Sequence, residues 1–350
     1  MISSVRPNLQ AVAFFPEASA HLVCSTGFNV VEPQPSRLSP QFSYYHLISE
    51  NARQYFEAAA TGVGYPAVGD KDFNALAVPL PPLPEQQRIA TYLDVSCAAI
   101  DGAIAAKQSQ RATLDALRKS IIKHAVTMGL NSLVKTQHTD VEWIPEMPQH
   151  WRLVRVKDVM EFFNTIRVPL SAADRGVMTE KTYDYYGASG VIDKVEAYLF
   201  DGTYILIAED GANLLTRSKP LAFLASGKFW VNNHAHILKP RWDGDNAFFV
   251  ALLESQDLSL VVTGAAQPKL TMANLGRFKL AVPHVAEQKQ ITAFIQEKET
   301  EFYPLVAQIE SQISTLTAYR KSLIHECVTG QRRISEADVR RAQSRSEQHD

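Results

Sequence analysis

The sequence predicts a mixed α/β protein in which two globular segments alternate with two long coiled-coil-like helices. Three observations predict it. The stretch 85–127 returns at 287–329, a fixed offset of 202 residues with no gap and 15 identities over 43 positions. Apolar residues recur in both copies at three- and four-residue steps, the period of a packed helical seam. The segment between the copies mixes short β-type runs with glycine turns, the pattern of a globular domain.

Taken in order, the chain opens with a globular segment, 1–81. It repeats the later part of the second one. Asn8-Leu9 resembles Asn213-Leu214, and Ala13-Phe14-Phe15 resembles Ala222-Phe223-Leu224. Tyr44-Tyr45-His46-Leu47 resembles Phe248-Phe249-Val250-Ala251, and Ala60-Thr61-Gly62 with Pro66 resembles Val262-Thr263-Gly264 with Pro268. A counterpart of roughly 143–204, about 60 residues, is missing, and the 17 residues after Arg333 are too few to supply it. The chain is therefore expected to begin inside its first globular domain.

The first long helix is expected over 82–130. Pro79, Pro81, Pro82 and Pro84 precede or open it, where the first N–H groups need no intrahelical partner. Its seam is Ile89, Leu93, Ile100, Ile104, Leu114, Leu117, Ile121 and Ala125. At ~1.5 Å per residue such a helix is roughly 60–65 Å long. A polar linker, 131–142, leads to Trp143-Ile144-Pro145-Glu146-Met147-Pro148-Gln149-His150-Trp151, the entry to the second globular segment, 143–282. Tyr204-Ile205-Leu206-Ile207 and His236-Ile237-Leu238 read as strands, and 248–253 as a short helix. The second long helix, 283–333, carries Ile291, Ile295, Phe302, Leu305, Ile309, Ile313, Leu316, Leu323 and Cys327 on its seam. Gly102 and Pro304 stand at equivalent positions, and both weaken a helix, which predicts a kink or break there in both copies. The tail, 334–350, is polar and is expected to be disordered.

Composition bounds the function. Hydrophobic content of 46% and charged content of 21% are those of a globular protein. Net charge is −2, and 143–282 holds 15 basic and 15 acidic residues, so a nucleic-acid face must come from uneven placement. Cys24, Cys97 and Cys327 make neither a disulfide framework nor a metal-spaced cluster, which fits a reducing cytoplasm. No membrane span and no signal-peptide layout is read from the chain.

Catalytic motifs do not emerge. There is no P-loop, no dinucleotide fingerprint and no nucleophile elbow; Gly187-Ala188-Ser189-Gly190 is one residue short of the last. His234 and His236 lack a third ligand at metal spacing, and Glu209-Asp210 could serve as an acid and a base, but Asp210-Gly211 is more often a turn. No cofactor is expected. Recognition chemistry is better represented. Tyr185, Tyr186 and Ser189 border one glycine turn; Asn213, Arg217, Asn232, Asn233 and His234 gather in later turns; Gln267 and Lys269 flank Pro268. Amides can read adenine and cations guanine, while small residues allow close approach to phosphate. In the first segment the corresponding candidates are Arg6, Asn8, Ser25, Thr26 and Tyr65. Any single Asn or Lys among them reads more readily as a solvated turn residue than as a contact.

Two stretches carry a family resemblance. Val78-Pro79-Leu80-Pro81-Pro82-Leu83-Pro84-Glu85-Gln86-Gln87-Arg88-Ile89-Ala90 is the first, and Arg118-Lys119-Ser120-Ile121-Ile122 through Met128-Gly129 the second. With the entry Trp143–Trp151 and the exit Ala265-Ala266-Gln267-Pro268-Lys269-Leu270, the chain up to about Arg333 resembles the specificity subunit of type I restriction-modification enzymes. The resemblance implies two target recognition domains, each reading half of a split site on double-stranded DNA. It implies that the two helices pack antiparallel and set the half-site spacing. It also implies partners: two methyltransferase subunits, which use S-adenosylmethionine and flip the target adenine, and motor-nuclease subunits. The chain departs from the pattern in its incomplete first domain and in the proline-poor start of its second helix, Val282-Pro283-His284-Val285-Ala286. Two other readings stand beside this one: a non-DNA-binding scaffold, or a half-specificity fragment, that docks methyltransferase subunits through its helices, and a small-molecule enzyme built on 143–282.

Overall fold

The computed structural model describes residues 1–15, 21, 23–264 and 266–346, the side chains of Asn8 and Ser346 excepted. The chain divides into two compact units, Met1–Ala112 with Leu305–Asp350, and Thr113–Pro304. The boundary falls inside each long helix, so both helices contribute to both units.

In the first unit β1 (Ile2–Ser3) pairs antiparallel with β2 (Phe28–Asn29). Helix α1 (Pro40–Leu47) starts on Ser39, whose hydroxyl accepts the Phe42 N–H, with Pro40 at its first position. Helix α2 (Glu50–Ala59) starts the same way on Ser49. With α3 (Asp70–Asn74) they frame a small core of Ile2, Leu47, Ala52, Phe56 and Val68. Helix α4 (Leu83–Met128) then enters, and its Gln86 is fully buried. The Gln86 amide accepts from the Ser39 N–H (2.8 Å) and donates to the Arg37 and Pro81 carbonyls (2.9 and 2.8 Å). The glutamine thus ties the start of the long helix to the cap of α1.

The second unit is built from β3 (Thr136–Val141), β4 (Ile144–Pro148), β5 (Arg152–Arg155), α5 (Val156–Val159), β6 (Met160–Phe162), α6 (Ala172–Gly176), β7 (Tyr183–Gly187), β8 (Gly190–Val195), β9 (Phe200–Ala208), α7 (Asn213–Thr216), β10 (Ala222–Val231), β11 (Ala235–Pro240), α8 (Asn246–Ser255), α9 (Met272–Arg277) and β12 (Lys279–Val282). Six strands form one sheet in the order β6-β11-β9-β10-β7-β8, antiparallel except at the β10/β7 pair. Alternation sends Ile205, Ile207, Ala222 and Leu238 into a core with Phe248, Phe249, Leu252 and Leu253 of α8. The opposite face holds Phe200, Leu206, Ala225, Phe229, Val231 and Ile237, screened by Phe163, Tyr186, Tyr204 and Phe223.

Helix α10 (Val285–Val328) opens with the same device. Gln288, 3% exposed, accepts from the N–H of Asp245, the cap of α8, and donates to the Pro283 carbonyl. This equivalence places Ser39 opposite Asp245 and Phe42 opposite Phe248. It corrects the pairing of Tyr44 with Phe248 by two residues and sets His46 where the second unit has Leu252.

Within each unit the two long helices run antiparallel. In the first unit, Arg320 pairs with Asp101 and Arg111 with Glu310. In the second, Arg118 makes a forked pair with Glu299. The predicted seams are buried or half-buried apart from Leu117 and Leu305. Neither helix breaks: Gly102 and Pro304 both lie within continuous helical runs. A proline removes one donor from the ladder, and the helix runs on through it.

One further expectation is corrected over the described part of the tail. The tail forms α11 (Glu336–Ser346) where disorder was expected. Ser335 and Asp338 exchange side-chain bonds with each other's N–H groups, a capping box that the polar composition hid. Ile334 is buried beside it, and Val339 and Ala342 pack on the same core. An 18-residue window of α4 is also apolar enough by composition to cross a membrane. Its Ile89, Leu93, Cys97 and Ile100 are buried in the first unit's core.

Candidate functional site

Four segments converge at one end of the six-stranded sheet: 164–167, 209–211, 232–236 and 263–270. Their centre is Glu209, 12% exposed at its side chain. Its carboxylate accepts from Arg167 at 2.6 Å, and Lys269 Nζ lies 3.4 Å away. Arg167 also donates to the Asn233 and Ala235 carbonyls (3.2 and 2.8 Å) and, through Nε, to the Asn164 carbonyl. The Glu209 main chain accepts from the Leu270 N–H and donates to the His234 carbonyl. Burial pushes the Glu209 carboxyl up, but the Arg167 hydrogen bond and the charges of Arg167 and Lys269 outweigh it, and it titrates below its ordinary range.

The two histidines differ. His236 is fully buried: Asn164 Nδ2 donates to its Nδ1 (2.7 Å), and its Nε2 donates to the Leu270 carbonyl (2.7 Å). Both ring nitrogens are used, and burial lowers its pKa, so it is a neutral structural residue. His234 is exposed and bonded to Asp210 at 2.8 Å. Among the described residues no group of three or more His, Cys, Asp or Glu is placed to hold a metal ion.

Tyr185 is corrected to a core residue. It is 1% exposed, its hydroxyl bonds the Leu170 main chain, and the Arg175 guanidinium covers its ring, so it has no face for a ligand. Tyr186 is half-buried, its ring packed on Phe223 and Phe229. Asn213 and Arg217 lie apart from the convergence and are occupied. Asn213 holds the Lys219 main chain and the Ser218 hydroxyl. Arg217 donates to the Gln256 carbonyl and to the Glu254 carbonyl and carboxylate. Asn232 is buried and accepts the His234 N–H. The side chains of Asn233 and Gln267 are exposed at the convergence, and Ser189 is exposed in the β7–β8 turn. Sequence reading missed Arg167 altogether. Its partner lies 42 residues away, and no local pattern marks the pair.

The first unit contains the same turn. Thr61 and Ala67 exchange main-chain bonds, as do Thr263 and Lys269, again 202 residues apart. Arg6 N–H donates to the Pro66 carbonyl as Gly211 does to Pro268, and Val68 donates to Ser4 as Leu270 does to Glu209. Gly62 and Gly264 both take φ values in the left-handed region, +105° and +86°, and a Cβ on Gly264 would stand 2.5 Å from the Gln267 carbonyl oxygen. On this frame Tyr65 occupies the place of Gln267 and Ala67 that of Lys269. The Arg6 guanidinium lies 4.5 Å over the Tyr65 ring, and Tyr65 is 71% exposed. Ser25 and Thr26 are exposed in the turn before β2. The Asn8 side chain lies outside the described residues.

A cleft of about 560 Å³ lies elsewhere in the second unit, lined by Lys123, Trp143, Ile144, Glu146 and Leu252 among others.

Comparison with known proteins bears on this arrangement. The family model described as the type I restriction modification DNA specificity domain matches residues 2–107 and 148–315. The MjaVIII type I restriction enzyme specificity subunit of Methanocaldococcus jannaschii is 22% identical over 303 residues, covering 80% of this chain and 68% of that protein. A Haemophilus influenzae relative, named for a type I restriction enzyme specificity subunit, is 29% identical over 157 residues, covering 45% of this chain and only 37% of its own length. A solved structure reported as "Structural basis underlying complex assembly and conformational transition of the type I R-M system" superimposes with a TM-score of 0.73 at 16% identity, covering 93% of this chain and 80% of that one, a likeness of fold. The paired long helices, the doubled turn and a match over most of the chain lead to one conclusion: this chain belongs to the type I restriction modification DNA specificity family.

Proposed function

We propose that the chain is the DNA-reading subunit of a type I restriction-modification complex and that it reads a bipartite site on double-stranded DNA. The observation that carries the reading is the turn made twice, Thr61–Val68 and Thr263–Leu270, with an exposed polar or aromatic side chain at its tip in each unit. A frame repeated at the offset of the helices suits two half-sites read by two related modules. In this reading the chain performs no chemistry and needs no cofactor. Two methyltransferase subunits dock on it and modify adenine with S-adenosylmethionine, motor-nuclease subunits cleave, and the assembly works in the cytoplasm. The test is co-purification with a methyltransferase subunit, followed by mapping of methylated adenines in a genome that receives both. A new split motif is expected; a methylome identical to that of the methyltransferase alone overturns the reading.

A second reading, a methyltransferase-docking scaffold that leaves DNA alone, is favoured by one observation. Arg167 and Lys269, cations at the candidate face, are both paired with the Glu209 carboxylate of the chain itself. It predicts a stable complex with the methyltransferase and no salt-dependent affinity for duplex DNA.

A further inference from the structure

We infer that Arg167, acting through Glu209, is a positioning residue for sequence specificity in the second unit: it sets the mutual placement of the side chains that read one half-site, without touching DNA itself. The inference rests on the DNA-recognition reading above and deepens it.

The argument starts from what the turn needs. In the first unit the turn 61–68 closes with the same main-chain bonds although Ser4 stands at the position of Glu209 and Ala67 at that of Lys269. The charged cluster is therefore not required to form the turn. What it adds in the second unit is a connection to two other segments. One guanidinium, 15% exposed at its side chain, bonds the Asn164 carbonyl, the Asn233 and Ala235 carbonyls and the Glu209 carboxylate. Asn164 continues the chain of contacts, since its carbonyl oxygen Oδ1 accepts the Ile237 N–H and its amide donates to buried His236.

The exposed side chains of Asn233, His234 and Gln267 project from the segments so fastened. Lys269 leans on the same carboxylate from the far side of the turn. Arg167 engages these acceptors through Nε and Nη1, and its side chain is only 15% exposed, which leaves it poorly placed to neutralise a phosphate. Base reading demands that side chains be held within fractions of an ångström, and a planar fork fixes direction where a lysine fixes only charge. Loosening this hub should then blur which bases are accepted while leaving the phosphate contacts of the complex intact.

The experiment uses the complex with its methyltransferase subunits, as wild type and as Arg167→Ala, Arg167→Lys and Glu209→Gln. Each complex selects from a randomised duplex library, and its binding to the selected duplex is titrated with salt. The expected result is a loss of discrimination, roughly tenfold or more, at base pairs of one half-site. The other half-site and the salt slope stay as in the wild type, and Arg167→Lys is intermediate. Lys and Gln nearly preserve side-chain volume, so these two variants decide the matter should Arg167→Ala unfold. An unchanged consensus overturns the inference. So does uniform weakening with a salt slope shallower by about 1, the mark of a lost phosphate contact. A wild-type complex that selects no consensus overturns the recognition reading itself, and the inference with it.

Discussion

His46 shows how much a single residue can reveal. It is fully buried in α1, the Ala77 main chain beside its ring falls short of hydrogen-bond geometry so that neither ring nitrogen is satisfied, and the equivalent position in the second unit is Leu252. Burial holds its pKa below the ordinary 6.5, as it does for His236. An unfolded chain binds protons at both histidines below that value while the folded chain does not, so stability falls as pH drops through about 6.5. Each histidine contributes up to about 1.4 kcal/mol per pH unit. Glu209, held below its ordinary 4.5, adds stability above that pH that is lost only as its folded carboxylate protonates in stronger acid. Thermal melting at pH 7.5 and 5.5 should show the decline, and His46→Leu should reduce it. The same substitution should stabilise the chain at pH 7.5 by about 1–3 kcal/mol, since it removes an unsatisfied buried polar group from an apolar site. Equal melting temperatures for wild type and variant at both pH values would show that His46 is not desolvated. No residue-by-residue reading of the sequence could reach this result, because His46 looks like a surface histidine until its helix is seated.

At the scale of elements, the Glu-Gln start of each long helix proves to be a clamp. Gln86 and Gln288 each satisfy the N–H of another helix's cap residue and a carbonyl of the proline turn before their own helix. Gln86→Ala or Gln288→Ala should cost about 2–3 kcal/mol, because buried main-chain groups lose their only partner. Urea midpoints measure this directly, and a loss below 0.5 kcal/mol would argue that water replaces the amide (~0.5–1.5 kcal/mol is the usual net value of one bond). Glu287 does separate work, accepting from Trp151 and pairing with His150 of the entry motif. The helices were legible in the sequence because their signal is local: apolar steps of three and four residues and a proline before the start. The sheet interior was legible only in part, since both faces are covered and the runs do not alternate polar with apolar. The Arg167–Glu209 hub was not legible, since it depends on contacts between segments 42 and more residues apart. The α11 cap was legible in Ser335-Glu336-Ala337-Asp338, but composition argued the other way.

At the scale of the whole molecule, the second unit is one continuous stretch while the first is assembled from two distant ones. The core of the first unit joins Phe42, Ile89, Leu93 and Ile100 to Leu323, Ile324, Cys327, Val328 and Ile334. A fragment 113–304 should therefore fold with a cooperative melt. A chain ending at residue 304 should keep that transition and lose the one that belongs to the first unit. Differential scanning calorimetry separates these outcomes. A first-unit transition that survives removal of 305–350 would contradict the shared core.

The discontinuous first unit also has a timetable. As the chain leaves the ribosome, the apolar stripe of α4 can meet Phe42 and Tyr45 of α1, but the rest of its cover lies beyond Leu305. At about 5–20 residues per second, the intervening stretch of nearly 200 residues takes on the order of ten to forty seconds to make. For that interval a helix with the composition of a membrane span stands only partly covered. Its safe passage depends on how soon the last helix arrives, or on what shelters it until then.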